Sequence, residues 1–440
     1  MNKEEIIKAC GAEIIRDSVS GNFKISTDTR TIKQNEIYLP LKGENFDGEN
    51  FINDAIKNGA IGYFTTRDIV KDEAKLVLKV RDTLKAYLQL AQYYRNNINP
   101  KVIAITGSSG KTTTKEMMYA IAKQKFNTIK TISNHNNEIG FCQTVFSIDK
   151  STEVLIIEMG MRGLGEIELI TKHAQPDIAI VTNSGSAHIG RLKSLDNIAK
   201  AKCEIALGLK DSGTFIALDQ DIIKNNLDFA GEKIYYSLRD VEILDKQPSY
   251  TKFLYKGKEY EMQIEGDYNI SNSLSAIEAG YKLGMTYDEI RKGLYSYKPI
   301  EKRWEAEEIR GLKVINDSYN ANPESMKASV STFVELYPNP VVILGDMGEL
   351  GNDEKEFHRE VGRYFSKMKN VKFLTVGNLS KEIANELENK GVWVKHFSNN
   401  KEVSCYIIDN LDIGNTIFLK ASRAMKFEEI IDNLKRGNIW

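Results

Sequence analysis

From Gly107 to Met117 the chain reads G-S-S-G-K-T-T-T-K-E-M, directly after the apolar, β-prone run K-V-I-A-I-T. A strand that ends in glycines, a lysine and hydroxyls before a helical pattern makes a phosphate cradle. Glycine lets the main chain curl so that successive N–H groups face phosphate oxygens. The following helix adds the positive end of its dipole. Gly107, Ser108, Ser109 and Gly110 form the turn, Lys111 reaches the β and γ phosphates, the Thr112 hydroxyl suits a Mg²⁺ ion, and Thr113 comes next. The usual spacing has a glycine where Ile105 stands, so the loop is a shortened variant. A plain strand-to-helix turn is the bland alternative. The strand–loop–helix setting of G-K-T-T favours the phosphate reading.

Other residues gather around this motif. Glu158 ends the apolar run V-L-I-I-E. In open α/β sheets ligands collect at the carboxyl ends of strands, where a carboxylate can hold Mg²⁺. Otherwise it is an acidic strand end. His188 follows the apolar run at 178–182, at the same sheet edge, either as a structural residue or as a ligand. Lys200 and Lys202 lie in a helical stretch and read as a solvated face. Asn134, Asn136 and Asn137 cluster in S-N-H-N-N-E-I-G, which marks a loop or a set of paired donors and acceptors for a polar substrate. Arg303 and Asp317, with Asn320 close behind, sit near a domain junction. There they clasp a nucleotide or form an interdomain salt bridge, and spacing does not choose between the two.

These groups need a scaffold, and 440 residues allow about three domains at roughly 150 residues each. Hydrophobic content of 41% and charged content of 28% are ordinary for a globular protein. A net charge of −1 argues against general affinity for nucleic acid or an anionic membrane. Cys10, Cys142, Cys203 and Cys405 are scattered beyond metal-ligand spacing, which fits a reducing compartment. No apolar run approaches ~18 residues, and the N-terminal M-N-K-E-E-I-I-K lacks the apolar core of a signal peptide. The expectation is a cytoplasmic protein without a membrane anchor.

The pattern divides at two turn-rich points. Residues 1–98 hold expected strands at 36–41, 60–65 and 75–80 and helices at 51–58 and 82–95. The string N-N-I-N-P then breaks the helix. Residues 99–299 alternate strand and helix, with strands at 102–106, 154–159, 178–182 and 214–218, a β-rich patch at 233–265 and a helix at 270–283. Their near-continuous apolar runs point to a parallel sheet covered on both faces. Residues 300–440 start anew with strands at 312–316, 341–345, 371–376, 393–397 and 416–420. The fold class is therefore α/β: a small N-terminal α/β domain, a central P-loop domain with a mainly parallel sheet, and a C-terminal Rossmann-like domain without G-x-G-x-x-G.

Together the motifs resemble the Mur ligases, ATP-dependent amide-forming enzymes of peptidoglycan synthesis. The likeness rests on D-T-R at 28–30, G-E-N-F-D-G at 43–48, the phosphate loop, N-H-N-N-E-I-G at 134–140 and E-M-G at 158–160. It continues through A-H at 187–188, A-K-C-E-I at 201–205, D-Y-N-I-S-N at 267–272, D-S-Y-N-A-N-P at 317–323, L-G-D-M-G-E-L-G at 344–351 and K-A-S-R-A-M-K at 420–426.

The resemblance implies ATP and Mg²⁺ as cofactors and a monomer. It implies UDP-N-acetylmuramoyl-tripeptide and D-alanyl-D-alanine as partners, joined through an acyl phosphate. By the same likeness Lys111 and Thr112 serve the phosphates and one Mg²⁺, while Glu158 and His188 sit at the metal ions. Lys202 matches a lysine that reacts with CO₂ to give a metal-binding carbamate. Asn269, Asn272, Arg303, Asp317 and Asn320 surround ATP. Asp28, Arg30, Lys42, Phe46 and Asp47 face the UDP end. Asn134, Asn136 and Asn137 face substrate, and Asp346, Glu349, Ser422 and Arg423 hold the dipeptide. The chain departs from the family in carrying Lys302 and Ala421 and Ala424 where glycine is frequent, and His135 where Phe is frequent. The rival readings are the branch that adds the third amino acid, a folate- or cyanophycin-type ligase, a P-loop switch, and a non-catalytic binding module.

Overall fold

A computed structural model describes residues 1–43, 45–68, 73–300, 302–411 and 413–437. Three α/β sheets follow one another along the chain. The middle one positions the phosphate loop. Its six parallel strands run in the order Glu232–Tyr236, Thr214–Leu218, Ile178–Val181, Lys101–Thr106, Val154–Glu158, Thr128–Lys130. Alternation along each strand sends side chains to opposite faces. Ile103, Ile105, Val154 and Ile156 enter one buried cluster, while Val102, Ala104, Leu155 and Ile157 enter another. Both faces are thus covered, as the apolar runs require. A three-stranded antiparallel sheet, Val241–Gln247, Tyr250–Tyr255 and Lys258–Met262, accounts for the β-rich patch.

The N-terminal sheet orders its strands Glu13–Asp17, Leu76–Lys79, Gly62–Thr65, Glu36–Tyr38, Lys24–Ser26. The expected strand at 36–41 is shorter: after Tyr38 the chain leaves the sheet, and Lys42–Gly43 pairs instead with Phe46–Asp47. The C-terminal sheet orders Glu305–Ile309, Leu312–Asn316, Thr416–Lys420, Pro340–Gly345, Lys372–Val376, Val394–Phe397. It begins one strand earlier than the sequence suggested, because Glu305–Ile309 forms an antiparallel edge on Leu312–Asn316.

A file of rings joins the last two units. Tyr268, on helix Asp267–Lys282, meets Trp304 edge-on at 5.9 Å. Trp304 lies 5.2 Å from Phe418, and Phe418 stacks on Phe333 at 5.0 Å. One buried cluster therefore runs from Ile103 to Phe418. At the entry to this seam Lys302 has φ +58, the left-handed region that glycine adopts without strain. Neither Ala421 nor Ala424 has positive φ, so those two positions make no such demand. No described helix is long and apolar enough to cross a membrane.

Candidate active site

Strand Lys101–Thr106 is where the order of the middle sheet reverses, so a crevice opens at its carboxyl end. The phosphate loop fills that position. Gly107 has φ +152, and a β-carbon there would lie 1.8 Å from Thr182 Oγ1. Gly110 has φ +77, and a β-carbon there would lie 2.2 Å from Asn272 Oδ1. Only glycine fits either site. Lys111 opens helix Lys111–Ala122, and its Nζ curls back to donate to Gly107 O at 2.7 Å. Burial lowers the Lys111 pKa, Glu158 and Glu349 oppose the shift, and Arg303 adds to it.

The turn's amides do not all face a ligand. Ser108 N donates to Asn183 O at 3.0 Å, and Ser109 N donates to Asn183 Oδ1 at 3.0 Å. Asn183 Nδ2 also donates to Ser109 Oγ at 3.0 Å. Of the successive N–H groups expected to face phosphate oxygens, those of Ser108 and Ser109 turn to Asn183 instead. The N–H groups at the start of helix Lys111–Ala122 remain for an anion, since its first intrahelical donor is Thr114 N to Gly110 O. Asn183 escaped the sequence reading because a loop asparagine carries no signal of what it clamps.

Glu158 is buried at the end of its strand. Thr112 Oγ1 donates to its Oε1 at 3.2 Å, and Asn136 Nδ2 donates to the same oxygen at 3.1 Å. Its Oε2 has no hydrogen-bond partner and stands 3.3 Å from the ammonium of Lys115, itself wholly buried. Burial disfavours the carboxylate, but the charges of Lys115, Lys111 and Arg303 outweigh it and hold the pKa below its ordinary value. A hydroxyl and an ionised carboxylate are donors of the kind Mg²⁺ takes. Among the described residues no group of three His, Cys, Asp or Glu side chains can hold a metal. A Mg²⁺ ion here fits only with phosphate or water oxygens completing its shell, which is its habit.

Asn136 and Asn137 have divided roles. Asn136 touches Glu158, and Gly160 N donates to its carbonyl at 2.8 Å. Asn137 caps helix Glu138–Phe146 by accepting from Gly140 N at 3.0 Å. Asn134 accepts from Ser133 Oγ at 3.4 Å and lies exposed.

Lys202 overturns the solvated-face reading. On helix Leu195–Cys203 Lys200 is exposed, whereas Lys202 has no exposure and its Nζ has no hydrogen-bond partner. Burial and the charge of Lys111 drive its pKa well below the ordinary lysine value, against Glu204 and Glu166. Burial thus favours the uncharged form of this unpartnered amine, the form in which an amine is a nucleophile. His188, at φ +68, places Nδ1 2.5 Å from Glu349 Oε2, so the middle and C-terminal sheets meet at this histidine. The Glu349 carboxyl is held below its ordinary pKa by that contact.

From the C-terminal side, Arg303 lies over the Tyr319 ring at 4.1 Å. Lys420 is nearly buried, and its Nζ donates to Asp317 Oδ2 at 2.6 Å and to Asn320 O at 3.3 Å. Lys420 is a further residue the sequence did not single out. On the facing helix Asn269 Nδ2 donates to Glu265 O at 2.7 Å, and Asn272 presses on Gly110. Asp346 accepts from Asn378, Leu379 and Ser380 N–H groups, at 3.1, 3.0 and 2.7 Å. Ser422 N donates to Asp346 O at 3.0 Å, and Arg423 pairs with Glu428 at 2.6 Å.

The N-terminal candidates find partners close by in the N-terminal unit. Arg30 forks onto Asp28 at 2.9 and 2.7 Å, which takes the Asp28 pKa down to about 2. Asp47 pairs with Arg67 at 3.1 Å, Lys42 lies opposite Asp47 in a two-residue ladder, and exposed Phe46 stacks on Phe51 at 5.2 Å.

This arrangement has relatives. The Mur ligase middle domain matches residues 105–280, and the Mur ligase glutamate ligase domain matches residues 302–423. The chain belongs to the Mur ligase family. The UDP-N-acetylmuramoyl-tripeptide–D-alanyl-D-alanine ligase of Bacillus subtilis is 37% identical, over 93% of this chain and 92% of its own length. The Mur ligase of the same name from Escherichia coli is 31% identical, over 97% and 95%. A crystal structure of MurF from Acinetobacter baumannii superposes with a TM-score of 0.89 at 27% identity, covering 98% of both chains. MurF ligase from Thermotoga maritima, in complex with ADP, superposes with a TM-score of 0.84 at 25% identity, covering 94% of this chain and 97% of its own.

Proposed function

We propose that this Mur ligase joins D-alanyl-D-alanine to UDP-N-acetylmuramoyl-tripeptide, converting ATP to ADP, in the cytoplasm where such nucleotide-linked precursors are made. The observation that carries the reading is the meeting of Lys111, Thr112 and Glu158 at one sheet edge, with Glu349 of the C-terminal unit reaching His188 across the seam. Residues 1–98 are assigned to the UDP end, 99–299 to ATP and 300–440 to the incoming dipeptide.

A carboxylate does not condense with an amine unaided, because its oxygen is a poor leaving group. The tripeptide carboxylate attacks the γ-phosphorus, the bond to the β-phosphate oxygen breaks, and ADP leaves. The dipeptide amine then attacks the acyl carbon, loses a proton, and expels phosphate from a tetrahedral intermediate. Two anions meet in the first step, so cationic groups must screen them. Lys111 and Arg303 supply that charge. Thr112 and Glu158 would hold Mg²⁺, whose charge neutralises the phosphate oxygens. His188 and a carbamate on Lys202 would serve a second ion. Asn269, Asn272, Asp317 and Asn320 line the nucleotide, with Lys420 fixing the last two. Glu349, Ser422 and Arg423 serve the dipeptide, and Asp346, whose main-chain oxygen accepts from Ser422 N, stands beside them. Asp28, Arg30, Lys42, Phe46 and Asp47 serve the UDP group, and Asn134 and Asn136 the substrate nearest Glu158. The likeness along nearly the full chain to dipeptide-adding ligases favours this reading over the branch that adds the third residue.

The test is a coupled ADP-release assay across UDP-linked peptides and dipeptides. ADP formation that requires both substrates is expected. Hydrolysis stimulated only by a macromolecule would replace the ligase with a P-loop switch.

A further inference from the structure

The segment from Asn183 to Gly190 is gripped from two sides. On one side lies the phosphate loop. Asn183 holds Ser108 and Ser109 by the bonds described above, and Ser108 Oγ exchanges hydrogen bonds with Gly185, accepting from its N at 2.9 Å and donating to its O at 3.2 Å. On the other side lies the C-terminal unit. Glu324, the second residue of helix Pro323–Leu336, accepts from Ser186 N at 3.1 Å and from Ser186 Oγ at 2.8 Å. Gly185 packs so closely that a β-carbon there would come within 3.2 Å of Glu324 Cδ. Gly190 N donates to Glu349 O at 3.2 Å, beside the contact of His188 with Glu349. Ser186 is buried. Glu324 directly follows the D-S-Y-N-A-N-P string that carries Asp317 and Asn320.

Gly185, bonded to Ser108 of the phosphate loop, is followed directly by Ser186, which the C-terminal helix grips. A main chain held at both ends over so short a span transmits position, because its bond lengths and peptide planes are fixed. We propose that Glu324 is a positioning residue. Through Ser186 and Asn183 it ties the seating of the C-terminal unit to the geometry of the phosphate loop, so that phosphoryl transfer runs fast only with the amine-bearing unit in place. The proposal rests on the ligase reading above. A carboxylate in the first turn of a helix also favours the helix dipole, and that simpler role predicts a different outcome.

The experiment compares Glu324→Ala, Glu324→Gln, Asn183→Ala and the double variant Asn183→Ala/Glu324→Ala, each as the full chain with both peptide substrates. Glu324→Ala is expected to lower kcat about ten-fold while KM for ATP stays within about two-fold. Its thermal midpoint should fall only modestly, since Ser186 N and Oγ lose an acceptor that is itself exposed. Glu324→Gln should recover most of the rate, because an amide accepts from Ser186 N and donates to Ser186 Oγ without any charge. The double variant should lose less than the product of the single losses, as residues acting through one element do. A Glu324→Gln variant as slow as Glu324→Ala, or strictly multiplicative losses, would overturn the coupling and leave the ligase reading standing. A parent that forms no ADP with both substrates present would overturn the ligase reading, and this proposal with it.

Discussion

Lys115 holds its ammonium 3.3 Å from Glu158 Oε2 and 3.5 Å from Glu116 Oε1 with no exposure to solvent. Breaking a buried pair by removing one partner strands the other charge. Lys115→Met is therefore expected to cost about 3–5 kcal/mol of stability, read from denaturant unfolding. The double variant Lys115→Met/Glu158→Gln should lose less than Lys115→Met alone, since the stranded charge is gone.

Lys111 makes one hydrogen bond within the protein and carries the charge nearest the phosphate turn. Lys111→Ala should lower ADP formation by at least about 10³-fold, a loss typical of deleting a preorganised charge that meets the transition state. Circular dichroism should stay at the parent value. Unchanged turnover would remove the phosphate cradle from the account.

Lys420 fixes the loop that bears Asp317 and Asn320. Lys420→Met leaves the Asp317 carboxylate without its partner and that loop without its anchor. KM for ATP should rise about ten-fold, in line with the loss of a charged hydrogen bond. A rise in KM for the dipeptide alone would place Lys420 elsewhere.

Acid should loosen the loop that carries Glu349. His358 is fully buried; its Nε2 accepts from Met347 N at 2.9 Å, and its Nδ1 donates to Glu354 O at 2.6 Å. Burial lowers its pKa below the ordinary value, so the folded chain keeps the ring neutral. In the window between the folded pKa and the unfolded value near ~6.5, the unfolded chain binds the extra proton, and stability falls as pH falls. The thermal midpoint should drop as pH falls below about 6.5, and His358→Gln should flatten that slope. An identical slope in the variant would assign the acid sensitivity to other groups.

Much of this was legible in the residues, for physical reasons. Strands Thr214–Leu218 and Thr416–Lys420 match their expected ends because buried parallel strands are continuous apolar runs with sharp polar borders. Glu305–Ile309 escaped because E-A-E-E-I carries three carboxylates in five residues, and only an exposed edge strand tolerates that. Thr128–Lys130 is too short to show a period. Lys200 and Lys202 stand two positions apart on one helix, about 200° around its axis, so one must face inward if the other faces out. Nothing local says which. Asn183 and Glu324 owe their roles to partners far away in sequence, and one chain read by itself gives no sign of such pairings.

The file of rings from Tyr268 to Phe333 also limits how the chain can be cut. A fragment beginning near residue 300 would carry Trp304 into water with its covering from Tyr268 gone. Such a piece would be sticky and prone to precipitate, although its sheet looks complete on paper. The middle and C-terminal units are better handled as a single body, from recombinant expression to inhibitor screening.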